Sequence, residues 1–298
     1  MDAIRGDWAT AFADSLLIRE LEGAEVTEEQ LLRVHSAAHL ERLQSAFGRA
    51  GGFLTPRVNL DGDTIVSAGT QQAASCAAGL VVAAVDEIFG SDVASAPRRA
   101  FVVARPPGHH AERDQAMGFC LYNNVMVGVA HAQAVHGVDR VAILDFDVHQ
   151  GNGDAALCWS DPTRLYASTH QGGIFPAGVS AFCPQGAGRA GAEGQVLSSP
   201  LPAGAGSKQF REAWADRLLP AVDAFEPDAI FLSAGFDAHA EEDVASLALR
   251  DDDFGWITSE ITRLGGGRIP IVSVLEGGYN LDVLVRCARV HVDALIHS

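Results

Sequence analysis

Five short apolar runs, each ending in polar residues, constrain the fold of this chain more than any other feature. They are AFVVAR (100–105), VAILDFD (141–147), RLYAST (164–169), AIFLSAG (229–235) and IPIVSVLEGG (269–278). Segments with helical spacing or composition lie between several of them, at 70–89, 123–137, 207–225 and 281–296. Apolar strands that alternate with helices are typical of a parallel sheet covered on both faces. We therefore predict an α/β fold with a central, mostly parallel sheet.

Local signals refine this prediction. Gly137 stands where a glycine commonly ends a helix, and Ser207 is expected to cap the helix that follows it. The Gly/Ala/Pro-rich stretch 172–206 has little regular pattern, and a loop of that length in a compact domain is usually functional or wraps the surface. With no internal repeat and no linker, we predict a single domain over residues 1–298.

Composition excludes several classes of function. A net charge of −17 argues against a nucleic-acid-binding protein, which needs concentrated Lys and Arg. No segment is expected to span a membrane, and the N-terminus lacks the basic and apolar parts of a signal peptide. The five cysteines are widely spaced and form no C-x-x-C pair, which favours buried thiols in a reducing compartment. We expect a cytoplasmic protein.

The polar segments that follow the apolar runs predict one site. They span 105–112, 145–154, 168–173, 233–239 and 275–280, and each carries Asp, His or Tyr beside Gly or Pro. In open α/β sheets, ligands bind beyond the carboxyl ends of the strands. Five such segments are therefore expected to converge at one edge of the sheet.

Two of these segments indicate a metal centre. Asp147 and His149 are two residues apart on an extended backbone, so both side chains can face one ion, and Asp237 can supply a third ligand from another strand. Two carboxylates and one imidazole suit Zn²⁺, or Fe²⁺ or Co²⁺. Three protein ligands leave a position for water, which is typical of a catalytic metal.

Acid–base residues are predicted beside this centre. His109 and His110 follow a rigid Pro-Pro-Gly segment, and Asp145 and Asn152 can each orient one imidazole. A carboxylate raises the pKa of its histidine, whereas an amide leaves it near neutrality, so the pair can divide base and electrostatic roles. Tyr279, after two glycines, can donate a hydrogen bond to a developing oxyanion. The other histidines, at 35, 39, 131, 136, 291 and 297, are interpreted as helix-surface or core residues.

The motifs RPPGHHA, MGFCLYNN, DFDVHQGNG, STHQ, SAGFDAH and LEGGY together resemble the zinc-dependent histone deacetylase family, which includes bacterial histone-deacetylase-like amidohydrolases and acetylpolyamine amidohydrolases. The resemblance implies the three-layer arginase/deacetylase fold. It implies the same zinc ligands, the His109–His110 pair with Asp145 and Asn152 behind it, and Tyr279 as the residue that polarises the acyl carbonyl. Asn at position 152 resembles the class II branch of the family.

The resemblance also implies substrate contacts and a second ion. Phe119 and Phe175 would form opposite walls of an acyl-lysine tunnel, and the Gly118 carbonyl would accept the substrate amide. Family members hold a potassium ion behind the zinc. Its predicted ligands are Asp145, Ser168 and Thr169, with main-chain oxygens of Asp147 and His149.

Two departures from the family pattern concern the rim of the pocket. The chain starts with a helix-like segment, and the first strand and a His-Pro-Glu loop of the family are expected to be shortened or absent. The entrance is therefore expected to be wider or completed by another subunit of a homo-oligomer. HAEEDVASLAL (239–249) stands where relatives often read Asp-Pro-Leu. In this segment, Glu241 and Glu242 could contact a cationic amine, although an exposed acidic turn is favoured. Elsewhere on the rim, Asp61 or Asp63 could clamp the substrate backbone.

The implied reaction is hydrolysis of an acetylated amine such as acetyl-lysine, with His110 favoured as the acid/base and His109 as the electrostatic partner. An acetylpolyamine amidohydrolase and a non-catalytic acyl-amine binding module are the alternatives. A ureohydrolase on the related arginase fold is rejected, because the bridging Asp residues of a two-manganese site are missing.

Overall fold

A six-stranded parallel sheet forms the centre of the structure, a computed structural model that describes residues 20–52, 55–90, 99–181 and 196–297. The strands are β1 (Arg57–Asn59), β2 (Ile65–Ser67), β3 (Arg99–Val102), β4 (Val141–Asp145), β5 (Arg164–Gln171), β6 (Val196–Leu201), β7 (Ala229–Ala234) and β8 (Ile271–Leu275). The strand order is β3-β8-β7-β4-β5-β6, and every neighbouring pair runs parallel. A separate antiparallel pair joins β1 to β2.

Helices cover both faces of this sheet, which confirms the predicted architecture. A π-helical turn lies at Trp214–Leu218, and a short 3-10 turn lies at Leu264–Gly267. The α-helices are α1 (Glu28–Leu32), α2 (Ala37–Arg49), α3 (Thr70–Phe89), α4 (Asn124–His136), α5 (Asn152–Cys158), α6 (Ser207–Ala213), α7 (Leu219–Phe225), α8 (Asp251–Thr262) and α9 (Leu281–His297).

The central strands are apolar throughout because they are buried on both faces. In β4, Val141 and Ile143 belong to the hydrophobic cluster on the side of α3 and α4, whereas Ala142 and Leu144 belong to the cluster on the side of α6 to α9. Successive side chains of a strand point to opposite faces, so a strand between two helical layers needs apolar residues at every position.

All five predicted strands and the four predicted helices are present, but several elements were missed. The strand β6 lies at the sheet edge inside the stretch expected to be irregular, and its sequence VLSSPL contains Pro200, which only an edge strand tolerates readily. The helices α5 and α8 were also missed. The N-terminal segment up to residue 19, where a helix-like start was expected, and Cys183 lie outside the described residues.

The predicted helix ends are right in one case and wrong in the other. Gly137 ends α4 in the left-handed conformation, with φ at 67°. The residue before α6 is Gly206, and Ser207 is its first helical residue. The Ser207 hydroxyl does not cap its own helix because it donates to the Asp253 carboxylate at 2.7 Å, which ties α6 to α8.

The expectation that no segment could span a membrane is wrong by length and composition. Within the described residues, Thr70–Phe89 is the one helix that is long and apolar enough to do so. Of its most apolar 18-residue window, 56% is buried, and residues such as Val81 and Val85 pack into the core. In this structure the apolar side chains of α3 cover one face of the sheet.

Candidate active site

Three metal-binding side chains meet where β4 and β7 end. Asp147 and His149 follow β4, and Asp237 follows the neighbouring strand β7. The ligand atoms of the three residues lie within 4.8 Å of one another. Nδ1 of His149 lies 3.2 Å from Oδ1 of Asp147 and 3.2 Å from Oδ2 of Asp237. The three side chains therefore converge, as the sequence analysis predicted.

The surroundings of these ligands fit a metal ion. Oδ1 of Asp237 accepts a hydrogen bond from the Val148 amide at 2.9 Å, but its buried Oδ2 has no hydrogen-bond partner among the described residues. A buried carboxylate oxygen without a donor is costly unless a cation neutralises it. A Cβ on Gly277 would lie 2.2 Å from Oδ2 of Asp237, and one on Gly235 would lie 2.0 Å from Oδ2 of Asp147. Glycines at both positions therefore keep space at the carboxylates.

The charges of the three groups favour the same conclusion. Burial lowers the pKa of His149, but the carboxylates of Asp147 and Asp237 outweigh this and raise it to about 10. Burial and the charge of Asp147 raise the pKa of Asp237 to about 6. The raised pKa of His149 means that the two carboxylates stabilise a positive charge at this position. The same charges would stabilise a divalent cation.

A second group with metal-binding atoms, Asp86, His131 and His136, is held by hydrogen bonds instead. Arg33 can only donate, so Nδ1 of His131, 3.0 Å from the guanidinium, must accept. Nε2 of His131 then carries the hydrogen and donates to Asp86 at 2.8 Å, and His136 contacts the same oxygen at 2.7 Å. These hydrogen bonds join α3 to α4.

A third group with metal-binding atoms is also held by hydrogen bonds, and it consists of His239, Asp251 and Cys287. The amide of Glu241 donates to Nδ1 of His239 at 3.1 Å, so Nε2 carries the hydrogen and faces the Asp251 carboxylate at 3.0 Å. The second oxygen of Asp251 also has a partner, because Oδ2 accepts from Nε of Arg286 at 3.0 Å.

The histidine pair lies beside the first group. The ring centroids of His109 and His110 are 4.0 Å apart, and that of His110 is 5.8 Å from that of His149. Nδ1 of His109 lies 3.2 Å from Oδ2 of Asp145, and Nδ1 of His110 lies 2.8 Å from Oδ1 of Asn152. The structure thus places both predicted orienting residues against the rings expected for them.

The environments separate the pKa values of the two imidazoles. Burial lowers the pKa of each. At His109, the charges of Asp147, Asp145 and Glu276 more than offset burial, and the pKa is well above its ordinary value. At His110, the charge of His109 adds to the effect of burial, and the pKa is well below its ordinary value. One ring is therefore held charged and the other neutral, which is the division that acid–base chemistry needs.

Two buried residues that the sequence analysis missed support His109. Oε2 of Glu276 accepts the amides of Gly108 at 2.6 Å and His109 at 3.1 Å, so it holds the loop that carries the pair. Burial raises the pKa of Glu276 to about 8. The Tyr166 hydroxyl donates to Oδ2 of Asp145 at 2.8 Å. Glu276 stands in the LEGGY motif directly after β8, and this position was the available signal.

Tyr279 lies at the mouth of the site, and 40% of it is exposed. Burial of its hydroxyl end and the charges of Asp237 and Asp147 raise its pKa, so the phenol stays a donor. Its backbone amide donates to Oε1 of Glu242 at 2.9 Å, as does that of Asn280. Glu242 therefore holds the Tyr279 loop.

The acidic residues near the rim are already engaged. Glu242 is buried and bonded to the Tyr279 loop, and Glu241 pairs with Arg286 at 2.9 Å. These contacts argue against either carboxylate as a ready partner for a cationic amine. They also show that the turn is more than the exposed acidic surface that was favoured, because Glu242 faces inward.

Aromatic residues surround the approach to the histidines. The Phe175 ring lies 4.9 Å from that of His110, and the Phe119 ring lies 6.1 Å from that of Tyr279. Gly118 and Phe119 have φ at 56° and 68°, and a Cβ on Gly118 would lie 2.4 Å from His110. The Gly118 carbonyl accepts the Cys120 thiol at 3.3 Å. Asp63 lies beside this turn, where burial and Asp61 raise its pKa.

The residues predicted around a potassium ion lie on adjacent strands. Asp145 ends β4 and pairs in register with Ser168 of β5. Ser168 is buried, and its hydroxyl lies 3.2 Å from Nδ1 of His170. The Thr169 hydroxyl accepts the Trp214 indole N–H at 2.9 Å, so its side chain is already bonded elsewhere.

Comparisons with known proteins show which family the chain resembles. A family model described as a histone deacetylase domain matches residues 7–295. A histone deacetylase-like amidohydrolase of Pseudomonas aeruginosa is 37% identical over 273 residues, which cover 90% of this chain and 68% of that protein. A probable deacetylase of Methanothermobacter thermautotrophicus is 37% identical over 262 residues, 87% of this chain and 73% of that protein. The solved HD domain of HDA15 has a TM-score of 0.86 at 30% identity, and the match covers 100% of this chain and 83% of that one.

Proposed function

The chain belongs to the histone deacetylase domain family, and from this premise we propose that it is a zinc-dependent amidohydrolase that removes acetyl or another short acyl group from an amine such as acetyl-lysine. The observation that carries the proposal is the convergence of Asp147, His149 and Asp237 beside a charged and a neutral histidine. A non-catalytic acyl-amine binding module would have no need for this separation of the two imidazoles.

The three converging side chains would hold the metal, which we propose to be Zn²⁺, with Fe²⁺ or Co²⁺ as alternatives. When bound, such an ion supplies Lewis-acid activation of the acyl carbonyl and of a water molecule. The buried Oδ2 of Asp237, which has no hydrogen-bond donor in the described part of the chain, supports this assignment.

The residues beside the metal ligands divide the work of amide hydrolysis. We propose that the neutral His110 removes a proton from the attacking water as the new C–O bond forms, and that this proton goes to the amine nitrogen as the C–N bond breaks. The products are a carboxylic acid and the free amine. The charged His109, held by Asp145, stabilises the negative charge that develops, and the Tyr279 hydroxyl donates to the acyl oxygen.

Protein or peptide acetyl-lysine is the proposed substrate class. Both rim glutamates already have partners, since Glu242 accepts from the Tyr279 loop and Glu241 pairs with Arg286. These contacts argue against a cationic amine at the rim and so support this class. Phe119 and Phe175 would line the passage for the acyl-lysine side chain, with the Gly118 carbonyl and Asp63 near its entrance. An acetylpolyamine hydrolase remains the alternative.

We also propose a potassium site behind the metal ligands, formed by Asp145 and Ser168 with main-chain oxygens of Thr169, Asp147 and His149. The pairing of Asp145 with Ser168 across β4 and β5 supports it. Because the Thr169 hydroxyl is bonded to Trp214, Thr169 would contribute only its main chain. Replacing K⁺ by Na⁺ in a thermal unfolding series is expected to lower the Tm.

Steady-state rates test the function directly. The purified protein is assayed with an acetyl-lysine peptide, N-acetylputrescine and N-acetylspermidine, before and after treatment with a chelator and after Zn²⁺ is added back. We expect turnover of the peptide that is lost with chelator and restored by Zn²⁺. Preferred turnover of the small amines would support the polyamine alternative, and binding without turnover in the Zn²⁺-loaded protein would support a binding module.

A further inference from the structure

The amide of Asn152 is held at both ends. Its Oδ1 faces Nδ1 of His110 at 2.8 Å, and its Nδ2 donates to Oε1 of Glu112 at 2.7 Å. Nδ2 also lies 3.2 Å from the main-chain oxygen of His110 and 3.2 Å from Sδ of Met117. Glu112 is itself fixed, because the Ser180 hydroxyl donates to the same Oε1 at 2.6 Å.

These contacts decide which end of the amide meets the histidine. The two ends have nearly the same shape but opposite hydrogen-bonding character, and a carboxylate can only accept. Were the amide reversed, its oxygen would face two acceptors, the Glu112 carboxylate and the His110 carbonyl. Two acceptors in contact in a buried site are unfavourable, because both lose their donors.

The orientation of the amide in turn sets the tautomer of His110. An amide oxygen at Nδ1 requires a hydrogen on Nδ1, which leaves the lone pair on Nε2. A reversed amide would present its NH₂ group to Nδ1 and move the ring hydrogen to Nε2. A ring with its hydrogen on Nε2 cannot accept a proton there.

We propose that Glu112 is a positioning residue that acts through Asn152 to keep Nε2 of His110 ready to accept a proton. This inference rests on the proposed function, in which His110 is the base. Glu112 directly follows the HHA segment, and its carboxylate accepts from Asn152 and Ser180. Asn carries no charge that would select its own orientation, so a neutral orienting residue needs such a partner.

Substitution of Glu112 tests the proposal. Glu112→Met keeps the length of the side chain and removes the acceptor, whereas Glu112→Gln keeps an oxygen that can accept from Asn152. We expect kcat of the Met variant to fall about 10-fold with KM within about twofold, because part of the population loses its base. The Gln variant is expected to stay within about threefold of wild type. Glu260→Met is the matched control, since that carboxylate pairs with Arg263 at the end of α8, and its kcat should match wild type.

A second background separates positioning from general damage. In Asn152→Asp, both oxygens can accept from Nδ1 of His110, so no partner is needed to select an end. Glu112→Met in this background is expected to leave kcat unchanged or to raise it, because a neighbouring negative charge is removed. An equal loss of kcat in both backgrounds would overturn the proposal.

A spectroscopic readout is independent of turnover. In protein with ¹⁵N-labelled histidines, Nδ1 of His110, assigned by its absence in His110→Gln, should carry hydrogen in wild type, and part of the signal should move to the other tautomer in Glu112→Met. An unchanged tautomer would overturn the proposal, and Glu112→Ala serves if the Met variant does not fold. If wild type shows no turnover, the proposed function fails, while this measurement still decides whether Glu112 sets the tautomer.

Discussion

Oδ2 of Asp237 lies 3.2 Å from Nδ1 of His149, and it is a buried oxygen with no hydrogen-bond donor among the described residues. Both oxygens of Asp147, by contrast, accept backbone amides: Oδ1 from His149 at 2.8 Å and Oδ2 from Gly277 at 2.8 Å. This asymmetry points to Asp237 as the ligand whose charge depends most on a bound cation.

Asp237→Asn should therefore abolish stoichiometric metal binding. The variant keeps the size of the side chain and the contact of Oδ1 with Val148, but it removes the negative charge that a cation needs. Metal content after dialysis measures the effect, with wild type expected to retain about one Zn²⁺ per chain. Asp86→Asn is the control, because that group is satisfied by hydrogen bonds, and its metal content should match wild type. Equal metal loss in both variants would contradict the assignment.

Tyr279→Phe should impair turnover without removing the metal. The phenol is the proposed donor to the acyl oxygen, and loss of one such donor lowers kcat by about 10²- to 10³-fold. KM should change little, because the hydrogen bond is strongest when the oxygen is most negative. Steady-state kinetics and metal analysis of the same preparation check this. A variant with normal kcat would exclude Tyr279 from the reaction.

Much of the fold could be predicted because its signals are local and repeated. The five apolar runs became five parallel strands, since a strand buried on both faces must be apolar throughout. The resemblance to the histone deacetylase family and the fold it implied are confirmed. The edge strand β6 was not predicted because Ser and Pro interrupt its apolar pattern. The helix α5 was not predicted because it overlaps the polar segment after β4.

The side chains of the proposed metal site could be predicted, and so could Asp145 and Asn152 behind the histidines, but the carboxylates that hold the surrounding backbone and amide could not. The spacing of Asp147 and His149 is visible in the sequence, whereas the contacts of Glu276 with Gly108 and of Glu112 with Asn152 join distant segments. The sequence of a motif does not show whether its carboxylate faces solvent or accepts hydrogen bonds from backbone amides. Only the folded chain distinguishes Glu242, which faces inward, from Glu241, which pairs at the surface.

This difference between Glu242 and Glu241 makes a prediction. Glu242→Ala removes the acceptor for the Tyr279 and Asn280 amides, so the phenol should be less well placed, and kcat should fall about 10-fold. Glu241→Gln should leave peptide turnover near wild type. In the Tyr279→Phe background, Glu242→Ala should cost little more, which a double-mutant cycle of kcat measures. Independent, additive losses would show that Glu242 does not act through Tyr279.

Acid destabilisation should arise partly from a buried histidine that is not one of the site residues. His291 is fully buried between Thr258 and Ser273, and burial lowers its pKa from 6.5 to about 3. As pH falls below 6.5, the unfolded chain binds a proton there that the folded chain refuses until about pH 3, so stability present above pH 6.5 is lost between these values. At pH 5 this one residue should cost about 2 kcal/mol of unfolding free energy. Urea unfolding of metal-free wild type and His291→Gln at pH 7.5 and pH 5 measures it: the variant should lose less stability on acidification by about that amount. Equal losses in the two proteins would show that His291 takes up its proton in the folded state.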